Sequence, residues 1–190
     1  MLKQSLITLT CVLAAQSTIA DEFTPALESY LQTNVVEWAN DPVIIDALRT
    51  ANAQTLSYNN DQILQLDQAW RAEVGQSSTP TITPILNNPA AEFLRNQVAN
   101  SGGTISEAFI MDAGGLNAAA SSVTSDMWQG DEAKFSATYG VGPGATHVGD
   151  VEFDESAQTY LGQVSMAVTD PATGELLGAL TVGVNAEQLF

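Results

Sequence analysis

Cysteine and histidine are nearly absent from this sequence, which has one of each, Cys11 and His147, among 190 residues. Cys11 lies within the first twenty residues, so a chain cleaved after that segment has no disulfide, no thiol nucleophile and no thiolate metal ligand. Motifs of serine hydrolases, zinc proteases and phosphate-binding loops are also missing, and the glycine-rich GVGPGATH (140–147) follows a predicted helix instead of a strand. Only hydrolysis by paired carboxylates stays open, because acidic residues are abundant. We expect a protein that is not an enzyme and needs no cofactor.

Basic residues are also scarce. Five Lys and Arg residues stand against 22 Asp and Glu residues, which gives a formal net charge of −17. A charge of this sign repels nucleic acid and anionic membrane surfaces, and it favours solubility and cationic partners. The sequence therefore predicts no nucleic-acid partner.

The first twenty residues have the layout of a secretory signal peptide. They carry one lysine, an apolar run over 7–15 and a small residue, Ala20, at the expected cleavage point. The residues before Cys11 make a poor lipobox, and no later apolar stretch is long enough to span a membrane. We expect residues 1–20 to be removed, leaving 21–190 as one domain in the periplasm, without a membrane anchor.

Up to about residue 100, apolar residues recur at helical spacing. Thr24-Pro25 and Asp41-Pro42 each resemble an N-cap followed by proline at the first helical position, and Asp61 is placed to cap a third helix. The segment QSSTPTITPILNNP (76–89) predicts an irregular connection before one more short helix. These features predict a helical part over 21–100.

From residue 101 onward the pattern changes to strands. ISEAFIMD, the turn AGG and LNAAAS predict a hairpin, and DEAKFSATY predicts a short helix capped by Asp131. THVGDVEF, TYLGQVSMAV and LLGALTVGV predict three further strands, the last two joined by the turn residues DPATGE. The predicted fold class is α+β, with amino-terminal helices packed on a five-stranded antiparallel sheet over 101–190.

Two stretches together suggest a family. MDAGGLNAAAS, with the spacing DxxGxxxAxS, followed by QVSMAVTDPATGELLGALTVGV, resembles the extracytoplasmic Cache sensor domains, the PAS-like ligand-binding modules of bacterial kinases and chemoreceptors. The resemblance covers about residues 25–185. It implies a PAS-like (Cache) sheet, a small-molecule-binding role and a membrane-bound histidine kinase or chemoreceptor as partner.

The sequence departs from the family pattern in two ways. Many members bind amino acids through an Arg and a Tyr that flank the loop Trp, whereas this loop reads SDMWQGDE and offers no evident carboxylate recogniser. Family members usually lie between two membrane helices, whereas this sequence ends at Phe190.

The stretch TSDMWQGDEAKF (124–135) is the leading candidate for a ligand site. Trp128 can supply a flat wall, Asp126 an acceptor for a donor or cationic group, and Gln129 a further polar contact. The alternative is that Trp128 only closes the edge of the core. Since basic residues are scarce, the expected ligand is a small neutral or cationic organic molecule.

The predicted strands and short helix offer four more candidates for the pocket wall, although each fits core packing better than ligand contact, because most inward residues of a sheet belong to the core. They are Phe109, Met111, Tyr139 and Ser165. Asp112, directly before AGG, fits an ordinary turn residue.

The acidic stretch DVEFDES (150–156) resembles a calcium loop only superficially. Glu155 stands where an EF-hand loop requires glycine, and Leu161 stands where it requires glutamate. A solvated acidic strand face is the better interpretation, so we expect no metal site.

Three functions remain open at the level of the sequence. The first is a periplasmic sensor that binds a small molecule and passes its occupancy to a membrane receptor or kinase. The second is a solute scavenger that delivers to a transporter, and the third is an interaction module with a vestigial pocket.

Overall fold

The computed structural model describes residues 16–155 and 158–190. Most of the predicted signal peptide, including Cys11, lies outside these residues. The described chain contains six α-helices and six β-strands, with the bounds α1 Gln16–Tyr30, α2 Pro42–Thr55, α3 Asn60–Glu73, α4 Ile82–Leu86, α5 Pro89–Asn100, β1 Ile105–Asp112, β2 Asn117–Ala120, α6 Ala133–Ser136, β3 Thr146–Val148, β4 Glu152–Asp154, β5 Thr159–Thr169 and β6 Leu176–Asn185. A π-helix, Leu31–Val35, and two 3-10 helices, Val36–Asn40 and Ala186–Leu189, complete the helical segments. No helix within these residues is both long enough and apolar enough to cross a bilayer.

The strands form one antiparallel sheet in the order β2-β1-β6-β5-β3, with β4 also paired to β5. This confirms the α+β prediction. The predicted third strand, THVGDVEF, is however two strands, because three residues, 149–151, stand opposite only two, Gly162 and Gln163, on β5. Such a bulge interrupts pairing and lets Val151 pack towards the core.

The sheet has two faces with different covers. On the helix side, strand residues such as Ile110, Leu180 and Val182 pack under α1, α2 and α5 and form the largest apolar cluster described. On the loop side, α6 and the loops around it cover a smaller cluster centred on Phe109 and Met111. Since side chains alternate along a strand, adjacent residues of β1 and β6 serve opposite faces.

The predicted starts of three helices meet different outcomes. Asp41 caps α2, accepting a hydrogen bond from the Val43 amide at 2.9 Å, as predicted. Asp61 is not a cap: α3 starts with a capping box in which the Asn59 side chain and Gln62 bond each other's backbone amides at 3.0 Å. The prediction of Pro25 as a helix start is wrong, because it lies inside α1.

Asp131 is also not a helix cap. The residue at the N-cap position of α6 is Glu132, and it makes no side-chain capping hydrogen bond. The turn formed when the Glu132 amide donates to the Gln129 carbonyl at 3.1 Å delays the helix by one residue. The Glu132 carboxylate pairs with Lys134 at 3.0 Å instead of capping.

Candidate functional site

At its centre, the loop side of the sheet is covered by closely packed apolar side chains. Phe109 and Met111 are buried there with Phe135. Tyr139 stacks on Phe135 with ring centroids 5.0 Å apart and ring planes 15° from parallel. Burial raises the pKa of the Tyr139 hydroxyl, and the Asp112 and Glu175 carboxylates raise it further. Three of the predicted wall residues therefore belong to one packed cluster.

Ser165 occupies the same face on β5, one step further across the sheet. It is fully buried, and its hydroxyl shares a hydrogen bond of 3.0 Å with the hydroxyl of Thr181 on β6. Thr181 in turn is the register partner of Phe109. Ser165, Thr181 and Phe109 thus lie side by side on three neighbouring strands, and the hydroxyls of Ser165 and Thr181 are hydrogen-bonded to each other.

Gln129 and Lys134 link the 124–135 loop to this row. Gln129 is buried, its amide nitrogen donates to the Asp126 carboxylate, and its amide oxygen accepts from the Lys134 ammonium at 3.2 Å. The same ammonium lies 5.4 Å from the centroid of the Phe109 ring. Lys134, which sequence reasoning did not select, carries a positive charge on the loop side, and its place two residues after Glu132 gave no signal of this.

Trp128 is held against the β1–β2 turn. Its indole nitrogen donates to the Gly114 carbonyl at 3.0 Å, and its backbone pairs with Leu116. A Cβ at Gly130 would lie 2.4 Å from the indole nitrogen, and one at Gly115 would lie 2.5 Å from the Gly130 Cα. The close approach therefore requires both glycines. The ring lines neither of the two cavities described below, and its role in ligand binding stays a prediction.

Asp126 connects the loop to α3. Arg71 bonds Asp126 at 3.2 Å and Asp67 at 2.7 Å, and the second oxygen of Asp67 accepts from the Met127 and Trp128 amides at 3.0 and 3.1 Å. Partial burial raises the pKa of Asp126, the Glu132 carboxylate adds to this, and Arg71 opposes it. The loop is thus anchored by a charged network on its outer side.

An open cleft of about 710 Å³ lies on the loop side beside this packed cluster. Glu107 and Gln163, which both pair with Gly183 across the sheet, line its base, and the Gln163 side chain donates a hydrogen bond of 3.2 Å to the Glu107 carboxylate. A Cβ at Gly183 would lie 2.9 Å from the Glu107 Cγ, so only glycine leaves this floor open. Phe153 and Lys134 also line the cleft, and six carboxylates surround them, those of Glu107, Glu132, Asp150, Glu152, Asp154 and Glu155. We call this the acidic cleft.

A second cavity, of about 700 Å³, lies on the helix side of the sheet. It is bounded by α2, by the segment from Pro80 to Ala90, and by the β1–β2 turn, and we call it the helix cavity. Asp112, interpreted from the sequence as a turn residue, is a buried wall residue here. Its carboxylate accepts from the Thr55 hydroxyl at 2.6 Å and from two turn amides. Burial nevertheless raises its pKa.

One chain of hydrogen bonds joins the two cavities. The Asn117 side chain, at the wall of the helix cavity, donates to the Asp126 carbonyl at 2.9 Å. The same carbonyl accepts from the Gln129 side chain at 3.2 Å, and Gln129 accepts from Lys134 at the acidic cleft. The 124–135 loop therefore touches both cavities through residues other than Trp128.

No family model matches this sequence, and no curated protein matches it. Solved structures do match. The sensor domain of the V. cholerae histidine kinase DctB has 15% identity and a TM-score of 0.45, over 91% of this chain and 57% of that chain. The E. coli DcuS sensor domain has 8% identity and a TM-score of 0.43, over 92% and 93%. The ligand-binding domain of the Campylobacter jejuni chemoreceptor Tlp3, in complex with L-valine, has 15% identity and a TM-score of 0.41, over 88% and 64%.

This chain spans less than two thirds of the length of the DctB and Tlp3 domains. All three neighbours are sensor or ligand-binding domains. The described residues themselves have the arrangement that the Cache resemblance implies, with amino-terminal helices on one face of an antiparallel sheet.

Proposed function

We propose that this chain is a periplasmic sensor domain that binds a small neutral or cationic organic molecule in the acidic cleft. The observation that carries the proposal is the cleft itself, an open space of about 710 Å³ beside the predicted loop residues. Its volume lies in the range of about 300–1,000 Å³ typical of small-molecule sites. Occupancy would be passed to a membrane-bound histidine kinase or chemoreceptor.

The charge of the cleft supports a cationic ligand. Six carboxylates surround one ammonium, that of Lys134, which already pairs with Glu132 at 3.0 Å. The field of the whole chain has the same sign, so organic cations are concentrated at the cleft and carboxylates are repelled. The half-exposed ring of Phe153 adds an aromatic surface on which an organic cation can lie.

Signal transfer would be a shift between populations of conformers. A cationic ligand that contacts Glu132 competes for that carboxylate with Lys134. Lys134 also donates to Gln129, which is bonded to Asp126 and through it to Arg71 of α3. Ligand contacts would therefore favour one arrangement of the loop relative to the helices. A partner protein that binds the surface of these helices would respond to that arrangement.

Thermal shift at constant ionic strength tests the proposal. Choline, glycine betaine and putrescine should raise the melting temperature saturably, and succinate should not. A ligand at a hundredfold its Kd adds about 2.7 kcal/mol to the free energy of unfolding. Glu107→Gln should weaken binding, whereas the matched Glu92→Gln, on exposed α5 surface, should not. An equal change in melting temperature with all four compounds, or an equal loss of affinity in both variants, would refute the proposal that the acidic cleft is the binding site.

Trp128 tests the loop prediction separately. A ligand held by the 124–135 loop, as the sequence predicts, should bind at least about 1 kcal/mol more weakly in Trp128→Ala, the scale of an aromatic or cation contact. A ligand confined to the acidic cleft, which Trp128 does not line, should bind that variant unchanged, and Glu187→Ala should leave binding unchanged in both cases. If affinity is unchanged while the melting temperature falls, Trp128 serves the core, consistent with its bond to the Gly114 carbonyl.

The packed centre of the loop side favours the interaction module as second candidate. Phe109, Met111 and Tyr139, three of the predicted wall residues, pack there with Phe135. Genes next to the coding sequence separate the functions, because a kinase or chemoreceptor gene favours the sensor and a permease gene favours the scavenger.

A further inference from the structure

The side chain of Lys134 ends among three groups that attract a positive charge. Its ammonium nitrogen Nζ donates to the Gln129 side-chain oxygen at 3.2 Å, pairs with a Glu132 carboxylate oxygen at 3.0 Å and lies 5.4 Å from the centroid of the Phe109 ring. The amide and carboxylate oxygens accept hydrogen bonds from an ammonium group, and the ring face attracts its charge. We call these three groups of Gln129, Glu132 and Phe109 the ammonium subsite.

The ammonium subsite lies beside the acidic cleft and is separated from it by Lys134. Lys134 and Glu132 line the cleft, whereas Phe109 and Gln129 do not. The Phe109 ring and the Gln129 amide are almost completely buried, and the Lys134 side chain is 14% exposed. Withdrawal of the Lys134 side chain would therefore open the ring and the amide oxygen to the cleft.

Lys134 can leave the ammonium subsite by rotation of its side chain. The ammonium is carried on a flexible stem of four carbons and is a strongly hydrated ion. Its partner Glu132 is 40% exposed along the side chain, so water already reaches the ion pair. The exchange of Lys134 for another ammonium group thus requires no separation of strands.

From these contacts we infer that the ligand of the acidic cleft is a primary alkylammonium compound, whose ammonium group takes the place of Lys134 in the ammonium subsite. Lys134 is then a tethered competitor, which fills the subsite until a free amine displaces it. A primary ammonium reproduces both hydrogen bonds and the ring contact, whereas a quaternary ammonium has no N–H to donate. The inference rests on the proposed function, because it places the amine of the ligand in the acidic cleft.

Lys134→Ala tests the inference by emptying the subsite. The substitution removes the side chain beyond Cβ, which has the atoms of n-propylammonium. At constant ionic strength this amine should stabilise Lys134→Ala saturably and bind it at least about tenfold more tightly than the unaltered chain, where Lys134 competes. Trimethylpropylammonium, with the same charge and no N–H, should bind the variant at least about tenfold more weakly than n-propylammonium. Equal binding of the two cations, or no saturable binding of n-propylammonium, overturns the inference.

Arg95→Ala is the matched control for charge. Arg95 lies on α5 and donates to the Leu86 carbonyl at 2.6 Å, so its loss removes one positive charge and leaves the ammonium subsite unaltered. n-Propylammonium should bind Arg95→Ala as it binds the unaltered chain. An equal gain of affinity in Arg95→Ala and Lys134→Ala would show that net charge alone governs amine binding, and would overturn the inference.

A measurement on the unaltered chain covers the case in which Lys134→Ala does not fold. Lys134 is the only lysine after Lys3, so labelling with nitrogen-15 lysine gives a side-chain ammonium signal that is easily assigned to it. Added n-propylammonium should move this signal to the position of a free lysine side chain. A Lys134 signal that stays unchanged at all amine concentrations overturns the inference.

The sensor proposal and this inference fail in different ways. If choline and putrescine bind the unaltered chain and Glu107→Gln weakens them, but the Lys134 signal does not move with either amine, the cleft is a ligand site and the inference is wrong. If no organic cation binds the unaltered chain and n-propylammonium binds Lys134→Ala selectively, the ammonium subsite is supported and the sensor proposal is wrong.

Discussion

The two faces of the sheet differ in what covers them and in what lies beneath. The helix side is apolar throughout its centre, where Ile110, Leu180 and Val182 meet three long helices. The loop side mixes apolar rings with a buried hydroxyl pair and an ammonium, under a helix of four residues. The larger apolar cluster on the helix side therefore contributes more to stability, whereas the loop side accommodates polar and charged side chains.

The helices on the two sides also begin differently. α2, on the helix side, starts at Pro42 with the Asp41 side chain as its cap, whereas α6, on the loop side, follows Glu132, which makes no side-chain capping bond. Caps satisfy backbone amides that a helix leaves unpaired. α6 therefore depends on its contacts with the sheet, through Phe135 and Lys134, more than on local hydrogen bonds.

The largest expected effect comes from the helix side. Leu180→Ala should lower the free energy of unfolding by about 2–5 kcal/mol, because the side chain is fully buried and leaves a cavity among long helices. Urea denaturation measures this. Leu56→Ala, at a position 80% exposed, is the matched control and should change stability by less than about 0.5 kcal/mol. Equal losses would contradict the assignment of the core.

The neighbouring residue on the same strand probes the loop side. Thr181→Val should cost about 1–3 kcal/mol, because it leaves the buried Ser165 hydroxyl without its partner. Adding Ser165→Ala should recover much of the loss, since both polar groups are then gone. A double-mutant cycle measured by urea denaturation gives the coupling. If the two single losses simply add, the hydroxyl pair does not explain the burial of Ser165.

Helix caps give a smaller effect. Asn59→Ala should cost about 1 kcal/mol, because the Gln62 amide loses its acceptor. Asp131→Ala should change stability by less than about 0.5 kcal/mol, since Asp131 makes no capping bond. Thermal unfolding of the two variants checks both values, and a loss at Asp131 equal to that at Asn59 would restore Asp131 as the cap.

The smallest expected effect depends on pH and concerns Asp112, whose hydrogen bonds offset much of the cost of burial. Burial raises the pKa of Asp112 in the folded state above the unfolded value of 3.8, so protonation of this carboxylate stabilises the fold. This contribution is fully present below pH 3.8 and is lost as pH rises through the folded-state pKa. Relative to Asp112→Asn, which cannot titrate, the unaltered chain should gain stability as pH falls. A constant difference between pH 7 and pH 3.8 would contradict the raised pKa.

Local sequence patterns predicted the strands of the sheet well. β1 spans the residues of ISEAFIMD, and the turn residues DPATGE join β5 to β6 as expected. These features follow from alternation of apolar residues and from the backbone preferences of turn residues, which act over a few positions. The divided edge strand escaped prediction because its bulge depends on the pairing partner, Gly162, as well as on its own residues.

The amino-acid sequence by itself determined the fold class, the acidic charge and the scarcity of catalytic side chains. The tertiary structure alone decided where open space remains. Side-chain volumes from distant segments together decide where a cavity forms, so Phe135 and Tyr139 pack on Phe109 at the centre of the loop side, while residues as far apart as Ala51 and Pro80 line one open space. Burial likewise depends on all surrounding segments, which is why Asp112 reads as a turn residue in the sequence and is an enclosed carboxylate in the fold.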